Sequence, residues 1–418
     1  MRFTFPMEAE NDPKYLSIKD YSYELPDKSI ARFPLAERDS ARILVFRNNT
    51  LSESVFSLLP QLLPDRSTLV FNDSKVIHAR IVFFTRAGHR IECFCLEPGE
   101  NRSPLESFGS SGPVSWQCMV GNARKWKSGN LTKTVAGPNG DFELHASMVA
   151  EMGRDRLLEF SWDDSSLTFS EVLERAGELP IPPYLERETE EVDLIRYNTV
   201  YAGPEGSVAA PTAGLHFTDT VLENLKTAGI ESVYTTLHVG AGTFRPVSAP
   251  TMAEHDMHAE RVCLNLAELE RLNNAIDHGP VVAVGTTSAR SLESLYWLGL
   301  EWMKSGIDTV SLVSQWMPYA PKHEPLPAPQ AVVRFVIEKL KEKKTDSLTF
   351  HTRLLIAPGY DWRMVDALIT NFHQPNSTLL LLVAALIGES WKDVYAFALK
   401  NNFRFLSYGD SSLLFRKK

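Results

Sequence analysis

A chain of 418 residues, 44% hydrophobic and 23% charged, has ordinary globular composition and can bury the cores of two or three domains. Its formal net charge of -9 excludes nucleic-acid binding by bulk charge, so any such contact must rest on local basic patches. Four cysteines, Cys93, Cys95, Cys118 and Cys263, are too few for a disulfide framework in a chain this long, and a reducing cytoplasm fits them.

Residues 1–14 read as an extension, with acids and a proline where a secretory leader would need an apolar run. Ile43–Phe46 reads as a strand, Glu53–Leu59 as a short amphipathic helix closed by Pro60, and Thr68–Phe71 as a buried strand. In FNDSKVIHARI, which follows, Asn72 and Asp73 can close a turn on their own backbone. From Arg80 to Phe160 the segments are short, often alternating, and separated by Gly, Pro, Asn and Ser. That pattern predicts an inserted, mainly-β, barrel-like domain over 80–160, with Cys93 and Cys95 on one strand face. Arg86, Arg90, Arg124, Lys125 and Lys127 make it locally basic.

Phe169–Ala176 reads as a helix stopped by Gly177, and ELPIPPY then positions Tyr184. Tyr201–Glu260 is rich in small residues and holds His216, His238, His255 and His258, four of the chain's 11 histidines. Glycine there permits tight turns and close approach of a ligand. Thr218–Ala228 and Leu266–Ile276 read as amphipathic helices, and SVYTTLHV as a strand. Val281–Val284 is a buried strand running through Gly285 into a helix whose first turn holds Thr286, Thr287 and Ser288. Free N–H groups at such a turn suit a carboxylate, ribose or phosphate. A proline-rich run, Pro318–Pro329, precedes a helix over Gln330–Lys344 and a strand at TRLLIA. Ala367–Thr370 is a buried strand followed by Asn371 and His373. The run Leu379–Ile387 is too short to span a bilayer and reads as a core helix, with another helix at Trp391–Leu399. Helices alternating with buried strands imply a large layered α/β domain, discontinuous over 15–79 and 161–418.

Four polar clusters are predicted in loops after strands: Asn72-Asp73-Lys75; His216 with His238 and Arg245; Gly285-Thr286-Thr287-Ser288-Arg290; and Asp366 with Asn371 and His373. Ligands of α/β sheets sit beyond the carboxyl ends of strands, where these groups could bind a polar molecule and supply an acid or base. His255 and His258, with Glu254 and Glu260, lack the spacing of a helical zinc site. G-x-G-x-x-G after an early strand, G-x-S-x-G and Walker A motifs are absent.

The chain resembles the S-adenosylmethionine:tRNA ribosyltransferase-isomerase family of queuosine biosynthesis. The matching motifs include IARFPLAERDSARIL, LPIPPYLER, YNTVYAGPEGSVAAPTAGLHF, TLHVGAGTFRPV, EHDMHAE, VVAVGTTSARSLES, PGYDWRMVDALITNFHQPNSTLLLLV and FRFLSYGD, and the similarity covers nearly everything from Tyr21 to Phe415. The resemblance implies an α/β domain with an inserted β-barrel and no metal. It implies transfer of the ribosyl part of S-adenosylmethionine to the 7-aminomethyl-7-deazaguanine wobble base of tRNA, giving epoxyqueuosine with release of adenine and methionine. With the cysteine usage and the short apolar run, the expectation is a cytoplasmic protein that contacts no membrane, as a monomer or weak dimer.

On that resemblance His216 or His238 would be the base, and Asp73 or Asp366 would position a ribose hydroxyl or the amine. Thr286, Thr287 and Ser288 would hold the methionine carboxylate or the sugar, with Gly214, Gly240, Gly242, Asn371 and His373 also at the S-adenosylmethionine site. Arg245 and Arg290 would meet tRNA phosphate or a substrate carboxylate, and Arg32, Arg80, Arg124, Lys125 and Lys127 would face tRNA. The chain departs from the family pattern at Ser74, Lys75 and His78, at Asp361 and Trp362, and in the lengthened segments 1–14 and 301–348. The alternatives are a paralogue using S-adenosylmethionine on another nucleoside or RNA, and a non-catalytic tRNA-binding protein.

Overall fold

Two large sheets and a two-stranded one carry the described residues of the computed structural model, 12–99, 104–240, 249–320 and 325–417. Strands β1 (Arg42–Arg47) and β2 (Thr50–Val55) form an antiparallel hairpin. Its turn is Asn48-Asn49, both at positive φ (51° and 59°), as a tight two-residue hairpin requires. This corrects the helix expected over Glu53–Leu59: the asparagine turn folds the chain back into a strand. Pro60 does not end a helix but sits in the first turn of a short one, Leu59–Leu62, where its missing N–H costs nothing. Buried β3 (Thr68–Asn72) and the two-residue β4 (Lys75–Val76) follow.

The inserted sheet contains β5 (Arg80–Phe84), β6 (Arg90–Pro98), β7 (Val114–Gly121), β8 (Leu131–Gly137), β9 (Gly140–Met152), β10 (Asp155–Trp162) and β11 (Gly177–Glu178). Its order is β11-β5-β6-β7-β10-β9-β8, and Phe84 opposite Thr132 pairs β5 with β8 to close a barrel. Alternate residues point inward, so β6 buries Ile91, Cys93 and Cys95 while β7 buries Val114, Trp116 and Cys118. The helix Phe169–Ala176, started by a Thr168/Glu171 capping box, adds Phe169, Val172, Leu173 and Ala176 to the same core.

The remaining strands are β12 (Glu205–Ser207), β13 (Glu231–His238), β14 (Glu260–Asn265), β15 (Val281–Val284), β16 (Leu312–Val313), β17 (Ser347–Thr352), β18 (Ala367–Asn371) and β19 (Ser411–Phe415). The body is one ten-stranded sheet, ordered β16-β17-β14-β13-β3-β15-β18-β19-β1-β2. At its centre β13, β3, β15 and β18 run parallel, so their carboxyl ends share one edge. The strand expected at TRLLIA lies earlier. Ser347–Thr352 carries the half-buried alternation of a strand, whereas Leu354, Leu355 and Ile356 leave the sheet as a buried, extended segment. The helices at Asp219–Thr227, Leu266–Ile276, Pro329–Lys343, Thr378–Ile387 and Ser390–Lys400 form close to where the apolar periodicity puts them.

The long helix Thr286–Ser305 is anchored by one buried carboxylate. Glu293 accepts the backbone N–H groups of Arg363, Met364 and Val365 at 3.0, 2.8 and 3.0 Å, and the Tyr360 hydroxyl at 2.8 Å. It thereby pins the PGYDWRMV turn to the helix and sets where β18 begins. Glu293→Ala would strand these donors in the core and should lower stability by about 3 kcal/mol or more. Thermal unfolding of the variant checks this, and an unchanged transition would refute the anchoring role.

Candidate active site

A cavity of about 370 Å³ opens at the carboxyl ends of β15 and β18. Gly285 makes it reachable. At φ 89° and ψ 156° it takes a backbone shape that L side chains resist, turning β15 sharply into the helix Thr286–Ser305. Thr286 and Thr287 line the cavity at that helix's N-terminus, where amide N–H groups lack intrahelical partners. The Thr287 hydroxyl is buried without a hydrogen-bond partner among the described residues. Ser288 turns away and donates to the Val284 carbonyl at 2.8 Å, a bond internal to the fold.

One turn along, Arg290 meets Glu260 in an ion pair on the cavity wall. Their side chains are only 11% and 4% exposed. Burial lowers the Arg290 pKa to about 10, still charged at neutral pH. Arg290 is therefore no surface contact for a phosphate. A buried ion pair is dear in desolvation, and facing a cavity it is better suited to a charged ligand than to stability. His255, Asp256 and His258 line the same wall. Burial, and then the neighbouring His258, lower the His255 pKa and favour its neutral ring.

From β18, Asn371 and His373 also face the cavity. His373 Nε2 lies 2.9 Å from Thr370 Oγ1, its backbone N–H meets the Tyr395 hydroxyl at 3.1 Å, and burial takes its pKa down to about 4. Tyr184, Tyr197 and Gln374 complete much of the polar lining. The barrel contributes Arg154, at the tip of the β9–β10 hairpin beside Gly153 (φ 64°). Arg154 carries no sequence signal beyond a Gly-Arg turn between two strands, and in the sequence Glu260 stands out only as a neighbour of His258.

Several expected residues lie elsewhere. Asp366 is corrected from a loop after a strand to the residue before β18, at the opposite end from Asn371. There it accepts the Val281 N–H at 3.0 Å and pairs with Arg416 at 3.5 Å. Asp73 follows β3 but accepts from Thr236 Oγ1 at 2.6 Å, and burial raises its pKa. Neither lines the cavity. His238 packs on Gly206, where an added Cβ would stand 2.8 Å from Nδ1; burial lowers its pKa to about 4. His216 sits behind Asn371 rather than in the cavity. Gly214 packs on Tyr201, leaving no room for a Cβ, while Gly240 is outside the cavity lining. Gly242 and Arg245 lie outside the described residues.

Among the cations expected to meet RNA, Arg80 is surrounded by Glu92, Glu178 and Glu188 at 2.8–3.7 Å, and Arg32 pairs with Asp27 and Glu186. Arg124, Lys125 and Lys127 are exposed on the barrel. The positions expected to differ from the resembled family make local contacts. Ser74 is buried, Lys75 pairs with Glu205 at 2.9 Å, His78 meets the Glu174 carbonyl at 3.0 Å, and Trp362 donates to the Ala385 carbonyl at 3.0 Å. None of these residues lines the cavity. Among the described residues no group of three His, Cys, Asp or Glu could hold a metal ion, and no helix is long and apolar enough to cross a membrane.

A parallel strand quartet, a cavity at its carboxyl edge and a barrel residue, Arg154, reaching that cavity define an α/β protein with a candidate ligand site at the strand ends. The model of a family described as "Queuosine biosynthesis protein" matches residues 18–414. An S-adenosylmethionine:tRNA ribosyltransferase-isomerase from Trichlorobacter lovleyi is 36% identical over 403 residues, covering 95% of this chain and 99% of that protein. One of the same name from Halothermothrix orenii is 36% identical over 403 residues, covering 96% and 100%. A crystal structure of S-adenosylmethionine tRNA ribosyltransferase from Thermotoga maritima is 25% identical over 94% of this chain and 99% of that chain, with a TM-score of 0.44. The chain belongs to the S-adenosylmethionine:tRNA ribosyltransferase-isomerase family.

The buried histidines make stability depend on pH in a definite direction. His216 and His373 have folded pKa values near 4, below the ordinary 6.5 of an exposed ring. Between those values the unfolded chain takes up protons that the fold refuses. Their contribution is complete above pH 6.5 and lost as pH falls toward 4, roughly 3 kcal/mol each at the limit. Scanning calorimetry should find Tm level above pH 6.5 and falling below it, with a shallower fall in His373→Gln. A Tm that rises on acidification would contradict this.

Proposed function

We propose that this chain transfers and isomerises the ribosyl moiety of S-adenosylmethionine onto the 7-aminomethyl-7-deazaguanine wobble base of tRNA. The products are epoxyqueuosine-tRNA, adenine and methionine. One observation carries the reading: in a chain of this family, the cavity presents the Glu260–Arg290 pair beside the N-terminus of the helix Thr286–Ser305. The amino-acid end of S-adenosylmethionine is a zwitterion with the complementary charges. Its carboxylate takes Arg290, the Thr287 hydroxyl and the helix amides, and its ammonium takes Glu260.

The sulfonium acidifies the C5' hydrogens of the ribose, so a neutral base can remove one. His255 fits that task among the cavity's histidines, since burial and His258 favour its unprotonated ring. The aminomethyl group attacks as the free amine, and adenine leaves toward a proton donor. Arg154 serves a phosphate near the inserted base better than Arg80, which three carboxylates already occupy. The chemistry falls to the discontinuous body, 15–79 and 161–418, with part of the RNA contact on the 80–160 barrel. The tRNA substrate implies action in the cytoplasm.

The direct test incubates the protein with S-adenosylmethionine and tRNA bearing the 7-aminomethyl base, then measures adenine release and the modified nucleoside. Both should appear. Adenine alone would indicate another acceptor, and tRNA binding with neither product would indicate a non-catalytic protein. Arg290→Gln should weaken S-adenosylmethionine binding by calorimetry about tenfold or more while tRNA affinity holds. The wild-type kcat/KM profile should carry an acid limb below pH 6.5, because the His255 pKa is lowered and protonation removes the base. His255→Ala should abolish that limb and slow turnover by about 100-fold; a retained limb would assign the base elsewhere.

A further inference from the structure

Asn371 ends β18 and is 2% exposed, yet it lines the cavity. Its amide nitrogen has two hydrogens, and the structure supplies two acceptors. Nδ2 donates to the Leu406 carbonyl at 3.2 Å and faces His216 Nε2 at 3.3 Å. The opposite orientation would set the amide oxygen against a carbonyl oxygen, so Oδ1 is fixed. That oxygen is buried and has no hydrogen-bond partner among the described residues. A buried acceptor without a donor is destabilising, and a ligand donor at this position would satisfy it.

Both acceptors are themselves constrained. Leu406 has φ 70°, the left-handed region that a leucine rarely enters, and its own N–H is tied to the Phe372 carbonyl at 3.0 Å. His216 is 5% exposed and stacked obliquely on Phe56, with ring centroids 5.1 Å apart. Its ring lies on a separate hollow of about 20 Å³, walled by Arg38, Arg196, Leu215 and Tyr408 among others, not on the large cavity. The charged groups facing it are Arg38, Arg196 and Arg404, and each opposes protonation, adding to the burial that chiefly does so; a bond to the Arg38 backbone works the other way. The ring stays neutral, able to leave Nε2 as a lone-pair acceptor.

We infer that His216 is a positioning residue that holds the Asn371 amide so that Oδ1 accepts a hydrogen bond from an N–H or O–H of the bound nucleoside. His216 then moves no proton in the reaction. The inference rests on the proposed S-adenosylmethionine reading for its substrate, but its geometry stands apart from turnover.

The test compares His216→Gln, His216→Leu, Asn371→Ala and the His216→Leu/Asn371→Ala double variant. Glutamine can offer an acceptor to Asn371 Nδ2 but cannot serve as a base. His216→Leu should lower kcat/KM about tenfold or more, and His216→Gln should restore most of that loss with the wild-type pH profile. The double variant should be no slower than Asn371→Ala. His216→Gln as inactive as His216→Leu, with the acid limb lost, would overturn the proposal by making His216 a proton carrier. Histidine-selective ¹⁵N labelling supplies a readout independent of activity. Nε2 of His216 should be unprotonated from pH 8 to about 5.5, and the Asn371 side-chain amide signals should move in His216→Leu. A protonated Nε2 at neutral pH would overturn the inference even if every variant lost its fold. Wild-type protein inactive on S-adenosylmethionine and tRNA would reject the functional reading, and the labelled ring would still decide the positioning role.

Discussion

Parallel pairing of β13, β3, β15 and β18 is the constraint on which the rest depends. Hydrogen-bond register across these strands brings the chain near residues 72, 238, 284 and 371 to one edge of one sheet. Amides that no strand can satisfy accumulate at that edge, and the chain meets the demand in two ways. On the β3–β13 side it uses side chains: Asn72 bonds both the N–H and the C=O of Leu237, and Asp73 takes the Thr236 hydroxyl. On the β15–β18 side a cavity opens beside Thr287 and Asn371, whose Oγ1 and Oδ1 have no hydrogen-bond partner among the described residues. The same edge thus divides into a closed half and an open half.

Much of the body was legible because its helices and central strands are local, periodic signals. The barrel was legible from alternation and turn residues over 80–160. The errors have physical sources. Asn48-Asn49 is a turn whose left-handed pair redirects the next segment, so amphipathic spacing at Glu53–Leu59 misled. Leu354–Ile356 is apolar enough for a strand, but it is buried by packing in the main core and not by pairing in a sheet. Asp366 and Asn371 flank the strand predicted at Ala367–Thr370, so grouping them as one cluster overlooked that a strand of this length holds its two ends apart.

The sequence offers residue types for the candidate site but not which of them the fold brings to the cavity. His216 and Asn371 are 155 residues apart in sequence, and only the fold shows that one stands behind the other. Arg290 looked like a free cation until Glu260 was found beside it. Arg154 was invisible because its importance comes from the reach of a hairpin in another sheet. Buried acids elsewhere teach the same caution. Asp193 binds Arg187 through two contacts and the Tyr408 hydroxyl through a third, an arrangement that organises loops without touching the cavity.

The position of β19 in the large sheet has a consequence for assembly. It follows every other strand in the sequence, yet it lies between β18 and β1, parallel to β1 and antiparallel to β18. On the ribosome, the β1–β2 hairpin is made first and must wait through more than 300 residues for the strand that joins it to the sheet. Contacts of such separation form slowly and leave strand edges exposed meanwhile. The loop carrying Leu406 and Ser407, which lines the cavity on the β18 side, lies just before β19 and is held by the Phe372 carbonyl and the Tyr184 hydroxyl. The last wall of the cavity and the strand that closes the sheet are thus neighbours at the end of the chain, and a nascent chain halted before Leu406 would carry the histidines and threonines of the candidate site with neither.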